Sequence, residues 1–129
     1  MPIDYQRDDS RRLITVTITE PFSFADLVGQ TDRQWREETW EYAVLYDSRA
    51  AWQVRPPHEI QQQVDHTQAV GGGRPRGPVG VAIPPRPDSL RGGLELADRS
   101  GAQRDIEILL NVAQVDAWFA RHALRRGPS

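Results

Sequence analysis

Cysteine and lysine are both missing from the sequence, and each absence excludes a set of functions. Without cysteine the chain has no disulfide, no thiolate nucleophile and no cysteine metal ligand. Without lysine it has neither a Schiff-base amine nor the lysine of a phosphate-binding P-loop. All 16 basic residues are therefore arginines, and against 18 acidic residues they leave a net charge of −2. Because so small a charge provides no basic field, we expect no nucleic-acid partner.

Long apolar runs are missing as well. No apolar stretch approaches the ~20 residues that a transmembrane helix needs, so we expect no membrane span. Residues 1–9 are polar and acidic and do not resemble a signal peptide, which makes a cytoplasmic location the default expectation. The 129 residues, of which 38% are hydrophobic, suffice for one domain with its own core. We expect a single domain over residues 1–129, with 124–129 as a frayed tail.

The strand patterns are organised around residues 42–47, whose sequence is YAVLYD. An apolar run of this length is typical of a central strand that is buried on both faces of a parallel sheet. Residues 3–6 and 13–19 alternate between apolar and polar side chains and predict an antiparallel N-terminal hairpin. Two further short apolar runs predict buried strands at residues 79–83 and 106–110.

Helix signals separate these strands. Ser23 followed by Asp26 predicts a capping box, and the apolar spacing that follows predicts a helix with Gln34 on its solvated side. Further helices are predicted from Pro57, over residues 88–99, and from an Asn111 cap. The element order ββαβαβαβα predicts an α/β fold with a five-stranded, mostly parallel sheet, an N-terminal hairpin and about four helices.

The N-terminal hairpin is followed by residues 23–27, which open the first helix, by the central strand at 42–47, and by residues 90–94 and 113–119 of the closing helices. This pattern resembles the STAS/SpoIIAA-like superfamily, which is known from anti-sigma-factor antagonists and the cytoplasmic tails of sulfate transporters. The resemblance covers nearly the whole chain. It is strongest to small stand-alone bacterial SpoIIAA-like proteins and implies a non-enzymatic regulatory or protein-interaction domain. Some members of the broader superfamily are thought to bind lipophilic molecules between the sheet and its helices.

The resemblance also implies where a phosphorylated residue would lie. In the anti-sigma antagonists, a partner kinase phosphorylates a serine or threonine at the start of the helix that follows the equivalent strand. Here Ser48 follows the strand directly, well before the Pro56-Pro57-His58 sequence that opens the next predicted helix. This departure argues against a phosphorylation switch at Ser48.

Polar residues follow the central strand at its predicted carboxyl end, where open α/β sheets bind ligands. Asp47 is either part of such a site or the cap of a turn beside solvated arginines. Trp52, in the same predicted loop, is either an exposed anchor for a partner or a lid on the sheet edge. The candidate ligand or partner surface consists of Asp47, Ser48, Arg49, Trp52, Arg55 and His58.

No metal, cofactor or catalytic pattern is recognisable. His58 and His66 lie eight residues apart on one predicted helix, about 12 Å along its axis, which is too far for one metal ion. Residues 71–78 are rich in glycine, but they lead from helix to strand, the reverse of a phosphate loop. We interpret them as a connector in which Arg74 and Arg76 are solvated. We therefore expect neither a cofactor nor enzymatic activity.

Two functions remain open. The first is a module that binds another protein or a second copy of itself, which would require an exposed apolar patch near Asp47 and Trp52. The hairpin and the second helix are the candidate self-association surfaces. The second function is the binding of a small lipophilic or anionic ligand between sheet and helices, since glutamines at 61–63 leave the second helix a thin apolar face. An apolar pocket there would favour this second function.

Overall fold

The computed structural model describes residues 2–51, 55–100 and 106–123, and it confirms the predicted element order. The described residues form nine elements, which are β1 (Ile3–Asp8), β2 (Leu13–Thr19), α1 (Phe24–Arg36), β3 (Ala43–Ala50), α2 (Pro57–Gly71), β4 (Val79–Ala82), α3 (Pro87–Ser100), β5 (Ile106–Leu109) and α4 (Val112–His122). The strands form one sheet in the order β1-β2-β3-β4-β5, antiparallel between β1 and β2 and parallel elsewhere. The chain is therefore a single α/β domain with an N-terminal hairpin.

The helices cover both faces of this sheet. Three successive crossovers each move one strand along in the same direction, so right-handed connections place α1, α2 and α3 on one face. On that face Leu27 of α1 packs with Val44 and Val81. On the other face Trp118 of α4 packs with Leu45. Burial on both faces explains why β3 begins with a continuous apolar run instead of an alternating one.

Trp118 fixes the position of α4 against the sheet. Its side chain is fully buried and lies directly over Gly80 of β4. A Cβ atom at position 80 would lie only 2.7 Å from the nearest indole atom, so only glycine allows the ring this close to the strand. The helix starts at the predicted Asn111 cap, whose side chain accepts a hydrogen bond from the Gln114 amide.

Strand β3 is longer than predicted, and the difference matters for the site. The predicted strand ends at Asp47, but the observed one continues to Ala50, which pairs with Thr19 beyond a shift of register that leaves one extra residue in β3. The extra pairing satisfies backbone groups that a loop would leave to solvent. Asp47, Ser48 and Arg49 therefore lie within a strand, where successive side chains point to opposite faces of the sheet.

The capping box of α1 supports a first prediction. Ser23 Oγ accepts a hydrogen bond from the Asp26 amide at 3.1 Å, and the Asp26 carboxylate accepts one from the Ser23 amide at 2.8 Å. We expect Ser23→Ala to lower the free energy of unfolding by about 1 kcal/mol, because the Asp26 amide loses its acceptor. Urea denaturation followed by circular dichroism measures this change. Ser23→Asn is the control, since asparagine caps as well as serine, and an equal loss in both variants would contradict the capping role.

Within the described residues, no helix has both the length and the apolar character needed to cross a bilayer.

Candidate ligand-binding site

The structure divides the predicted surface between the two faces of the sheet. Asp47 and Arg49 are two residues apart on β3 and share the face of α4, where Arg49 also interacts electrostatically with Asp116. Arg49 Nε and Nη2 donate to the two carboxylate oxygens of Asp47 at 2.9 and 2.7 Å. These hydrogen bonds hold the pKa of the Asp47 carboxyl below its usual range, against the opposing effect of partial burial. Asp47 and Arg49 therefore form a local ion pair.

Ser48 lies on the opposite face, under α2 and α3. Its hydroxyl donates to the Ala82 carbonyl at 2.8 Å, which ties β3 to β4 beyond their paired residues. It belongs to a strand and not to a helix terminus, since α2 begins at Pro57 with Pro56 as its cap. His58 is exposed in the first turn of α2. Trp52 lies outside the described residues, so both interpretations of its role remain predictions.

Ser48 and Arg55 line a cavity of about 250 Å³ between the sheet and helices α2 and α3. Strands β2 to β5 form its floor, and side chains of α2 and α3 form its roof. The walls are mostly apolar, and their main contributors are Leu27, Ile60, Val79, Val81, Leu96 and Ile106. Of the predicted surface, then, the structure brings Ser48 and Arg55 together at one cavity and places Asp47, Arg49 and His58 elsewhere.

Unpaired polar atoms are concentrated among the residues that line this cavity. In the described part of the chain, buried side-chain atoms without a hydrogen-bond partner include Arg55 Nε and Nη2, Gln63 Oε1 and Arg76 Nε, and all three residues line the cavity. Buried polar groups are normally paired, and each one left unpaired costs about 1–3 kcal/mol. The residues that line the cavity thus combine apolar side chains with two arginines and one glutamine that each have at least one buried side-chain atom without a hydrogen-bond partner.

Arg55 is the most isolated of these cations. Among the described residues, the carboxylate within 4 Å of it is that of Glu59, and the separation between Arg55 Nη2 and Glu59 Oε1 is 3.9 Å, too long for a hydrogen bond. Burial lowers the pKa of the Arg55 guanidinium, while the Glu59 charge opposes this shift. The guanidinium is consequently a desolvated cation with incomplete compensation.

Tyr46 forms a polar cluster at the cavity floor. Arg76 Nη2 donates to its hydroxyl oxygen at 2.6 Å, and the amide nitrogens of Gln30 and Gln34 each lie 3.1 Å from the same oxygen. Burial of Tyr46 would raise its pKa, but the Arg76 cation and the hydrogen bonds from Gln34, Gln30 and Arg76 hold the pKa below its ordinary value of 10.0. The Arg76 guanidinium also lies 4.9 Å from the centre of the Trp40 ring, a cation–π contact.

This cluster corrects two predictions. The sequence predicts Gln34 and Arg76 in solvent, but Gln34 is fully buried and Arg76 reaches under α1 to Tyr46. A buried tyrosine hydroxyl needs hydrogen-bond partners, and Gln30 and Gln34 supply them because residues four apart share a helix face. The four-residue spacing of Gln30 and Gln34 is visible in the sequence and could have indicated their shared position. No local sequence pattern indicates the position of Arg76, which depends on how the loop after α2 returns to the sheet.

Metal ligands are not grouped in the described ranges 2–51, 55–100 and 106–123, where no three His, Asp or Glu side chains are placed to hold an ion. His66 instead contacts the Asp32 carboxylate at 2.7 Å, which links α2 to α1.

Comparison with known proteins does not place the chain in a family. No protein-family model, no curated protein and no solved structure matches it. The resemblance to STAS/SpoIIAA-like proteins therefore stays a prediction from the sequence.

Proposed function

We propose that this protein is a small-ligand-binding domain that holds an organic molecule between its sheet and helices α2 and α3. The observation that carries the proposal is the apolar cavity of about 250 Å³ whose lining residues include unpaired buried donors. Ligand sites in proteins have this composition, with mostly apolar walls and a few polar groups that fix orientation. No reaction is part of the proposal.

The cavity volume limits the size of the ligand. An apolar cavity of about 150 Å³ is enough to enclose benzene, so by proportion this one accommodates about ten non-hydrogen atoms. A ligand of that size gains most of its affinity from the apolar surface that it buries. Its dissociation constant is expected to be on the order of micromolar to millimolar.

The alternative, a protein-interaction module, has less support. The large apolar side chains that are exposed in the described part of the chain are Leu94 in α3, Leu110 between β5 and α4, and Val112 at the start of α4. None of them is among the residues that the sequence predicts for a partner surface. Binding to another protein, self-association and a cytoplasmic location stay predictions.

A cavity-filling variant tests the proposal. Val81 forms part of the cavity wall, and Val81→Phe should occupy the space that a ligand needs. We expect the wild-type domain to bind 3-phenylpropan-1-ol in an NMR titration, with amide shifts confined to β4, α2 and α3. We expect Val81→Phe to bind it at least tenfold more weakly, because the added phenyl ring removes most of the free volume.

The same substitution at an exposed site provides the control. Val112 is 62% exposed and lies outside the cavity lining, so Val112→Phe should bind as the wild type does. Thermal melting of all three proteins verifies that they are folded at the titration temperature. Undiminished binding by a folded Val81→Phe domain, or amide shifts centred on another surface, would contradict the proposal. Native mass spectrometry of the purified protein adds a second readout, since a retained ligand would raise the mass.

A further inference from the structure

We infer that the ligand carries a single carboxylate and that Arg55 binds this group. The inference rests on the proposed function and adds the chemical class of the ligand. Its basis is the pair of atoms Nε and Nη2 of Arg55, both buried and without a hydrogen-bond acceptor among the described residues. These two nitrogens form one edge of the guanidinium, and their N–H bonds point in parallel.

That edge is the part of arginine that matches a carboxylate. Two parallel N–H groups meet the two oxygens of one carboxylate in a bidentate arrangement. The chain contains a working example in Arg49, whose Nε and Nη2 donate to the two oxygens of Asp47 at 2.9 and 2.7 Å. Arg99 also directs Nε and Nη2 to a carboxylate, that of Glu95. Arg55 lines the cavity and has the same donor edge, which is buried, but no described residue supplies its acceptor.

The acidic residues near the cavity do not take this role. Glu59 is 3.9 Å from Arg55 Nη2, and Glu95 is bound to Arg99. Asp88, in the first turn of α3, is the other carboxylate among the described lining residues. The described lining residues contain three arginines and two carboxylates, so they carry one excess positive charge that a single negative charge would balance.

Charge also favours a carboxylate over a phosphate. A phosphate monoester carries about −1.5 to −2 charges at pH 7 and would leave excess negative charge against apolar walls. A carboxylate carries one charge and has two oxygens at the spacing of the arginine edge. The expected ligand is therefore an apolar acid of about ten non-hydrogen atoms, with its head group beside Arg55 and its body over Val81 and Ile106.

Head-group-matched probes test the inference. The compounds 3-phenylpropanoate, 3-phenylpropan-1-ol and 3-phenylpropylamine share one apolar body and differ in the polar group. We expect the wild-type domain to bind the carboxylate at least tenfold more tightly than the alcohol, and the amine most weakly, because charge-assisted bidentate hydrogen bonds form with the carboxylate alone. In Arg55→Gln the carboxylate should lose roughly 10- to 100-fold in affinity, while the alcohol stays within about threefold.

Two further variants distinguish bidentate hydrogen bonding by the planar guanidinium from the effect of a positive charge alone. Arg55→Lys keeps the positive charge but lacks the planar fork, so it should recover only a small part of the lost carboxylate affinity. Arg74→Gln removes an exposed arginine outside the cavity lining and should leave the preference unchanged. Because Arg55→Gln removes a desolvated cation, it should melt no lower than the wild type, and thermal denaturation verifies this.

The outcomes distinguish this inference from the proposed function. If the carboxylate and the alcohol bind equally well, or if Arg55→Gln retains the preference, then the assignment of Arg55 is wrong although the cavity still binds small molecules. If none of these compounds binds, and octanoate and 1-octanol do not bind either, then both the proposed function and the inference that rests on it are wrong.

Discussion

Gly77→Ala is expected to destabilise the domain by about 3 kcal/mol or more. A Cβ atom built on Gly77 overlaps the backbone carbonyl oxygens of Glu41 and Tyr42, just before β3 begins. A side chain in the way can change rotamer, but a backbone carbonyl cannot move without displacing the strand to which it leads. The substitution therefore forces apart two segments of main chain.

Hydrogen bonds hold these two segments at this distance. The Gly77 amide donates to the Trp40 carbonyl at 3.0 Å, and the Val44 amide donates to the Pro78 carbonyl at 2.9 Å. Separation of the segments would weaken both bonds and disturb the parallel pairing of β3 with β4. The cost is expected to include unpaired backbone groups in addition to steric overlap.

A second glycine provides a control, because its substitution by alanine should stabilise the protein. Gly29 lies within α1, and no described atom beyond its own helix backbone and chain neighbours approaches within 4 Å of a Cβ placed there. Gly29→Ala should therefore raise the free energy of unfolding by roughly 0.5–1 kcal/mol, the helix preference of alanine over glycine. Urea denaturation of both variants measures these changes in the free energy of unfolding, provided that its dependence on urea concentration is the same in each protein. A Gly77→Ala protein as stable as the wild type would show that Gly77 does not lie so close to the carbonyl groups of Glu41 and Tyr42.

The sequence predicts the fold well because its signals are local. The capping box at Ser23, the Asn111 cap and the apolar run of β3 each depend on a few neighbouring residues, and each lies in the structure where the pattern indicates. Right-handed crossovers then leave few arrangements for a ββαβαβαβα chain. Helix starts and strand order were therefore predictable without knowledge of the tertiary contacts.

The candidate site was less predictable because it depends on register and on distant pairing. Ending β3 at Asp47 grouped Asp47, Ser48 and Arg49 into one cluster, whereas three more strand residues separate them onto opposite faces. The extension depends on pairing with Thr19, far away in sequence. Arg76 was predicted as a solvated loop residue because no local pattern indicates that its guanidinium reaches Tyr46, 30 residues earlier. The sequence predicts Arg55 as a site residue, but whether its donor edge is paired depends on tertiary contacts that the sequence does not reveal.

Tyr46 is expected to ionise at a lower pH than an ordinary tyrosine, although it is buried. N–H groups of Arg76, Gln34 and Gln30 approach its oxygen, whereas its own hydroxyl donates at a longer 3.3 Å to Gln30 Oε1. This arrangement solvates a phenolate better than a phenol and lowers the pKa of Tyr46 from 10.0. Tyr5 behaves in the opposite way, because burial raises its pKa.

Tyrosinate absorbance at 295 nm measures this difference. Subtraction of the Tyr46→Phe titration from that of the wild type should leave one transition with a midpoint below 10.0. In Arg76→Met the cation is gone and burial remains, so the Tyr46 transition should move to higher pH than in the wild type. Arg76→Met should also lose about 2 kcal/mol of stability, the typical contribution of hydrogen bonds to a charged group. Arg74→Met removes an exposed arginine of the same loop and should leave the transition in place.

The lowered pKa of Tyr46 also determines whether the stability of the protein rises or falls with pH. Between the lowered native pKa of Tyr46 and 10.0, the native protein has released a proton that the unfolded chain still binds. Stability therefore rises with pH through this window, is fully gained above the unfolded pKa, and is lost as pH falls through the native pKa. The unfolding free energy of the wild type relative to Tyr46→Phe should follow this course, and the comparison cancels the contribution of Tyr5. If the difference stays constant or decreases as pH rises toward 10, the Tyr46 oxygen does not carry the stabilised charge that its hydrogen-bond donors imply.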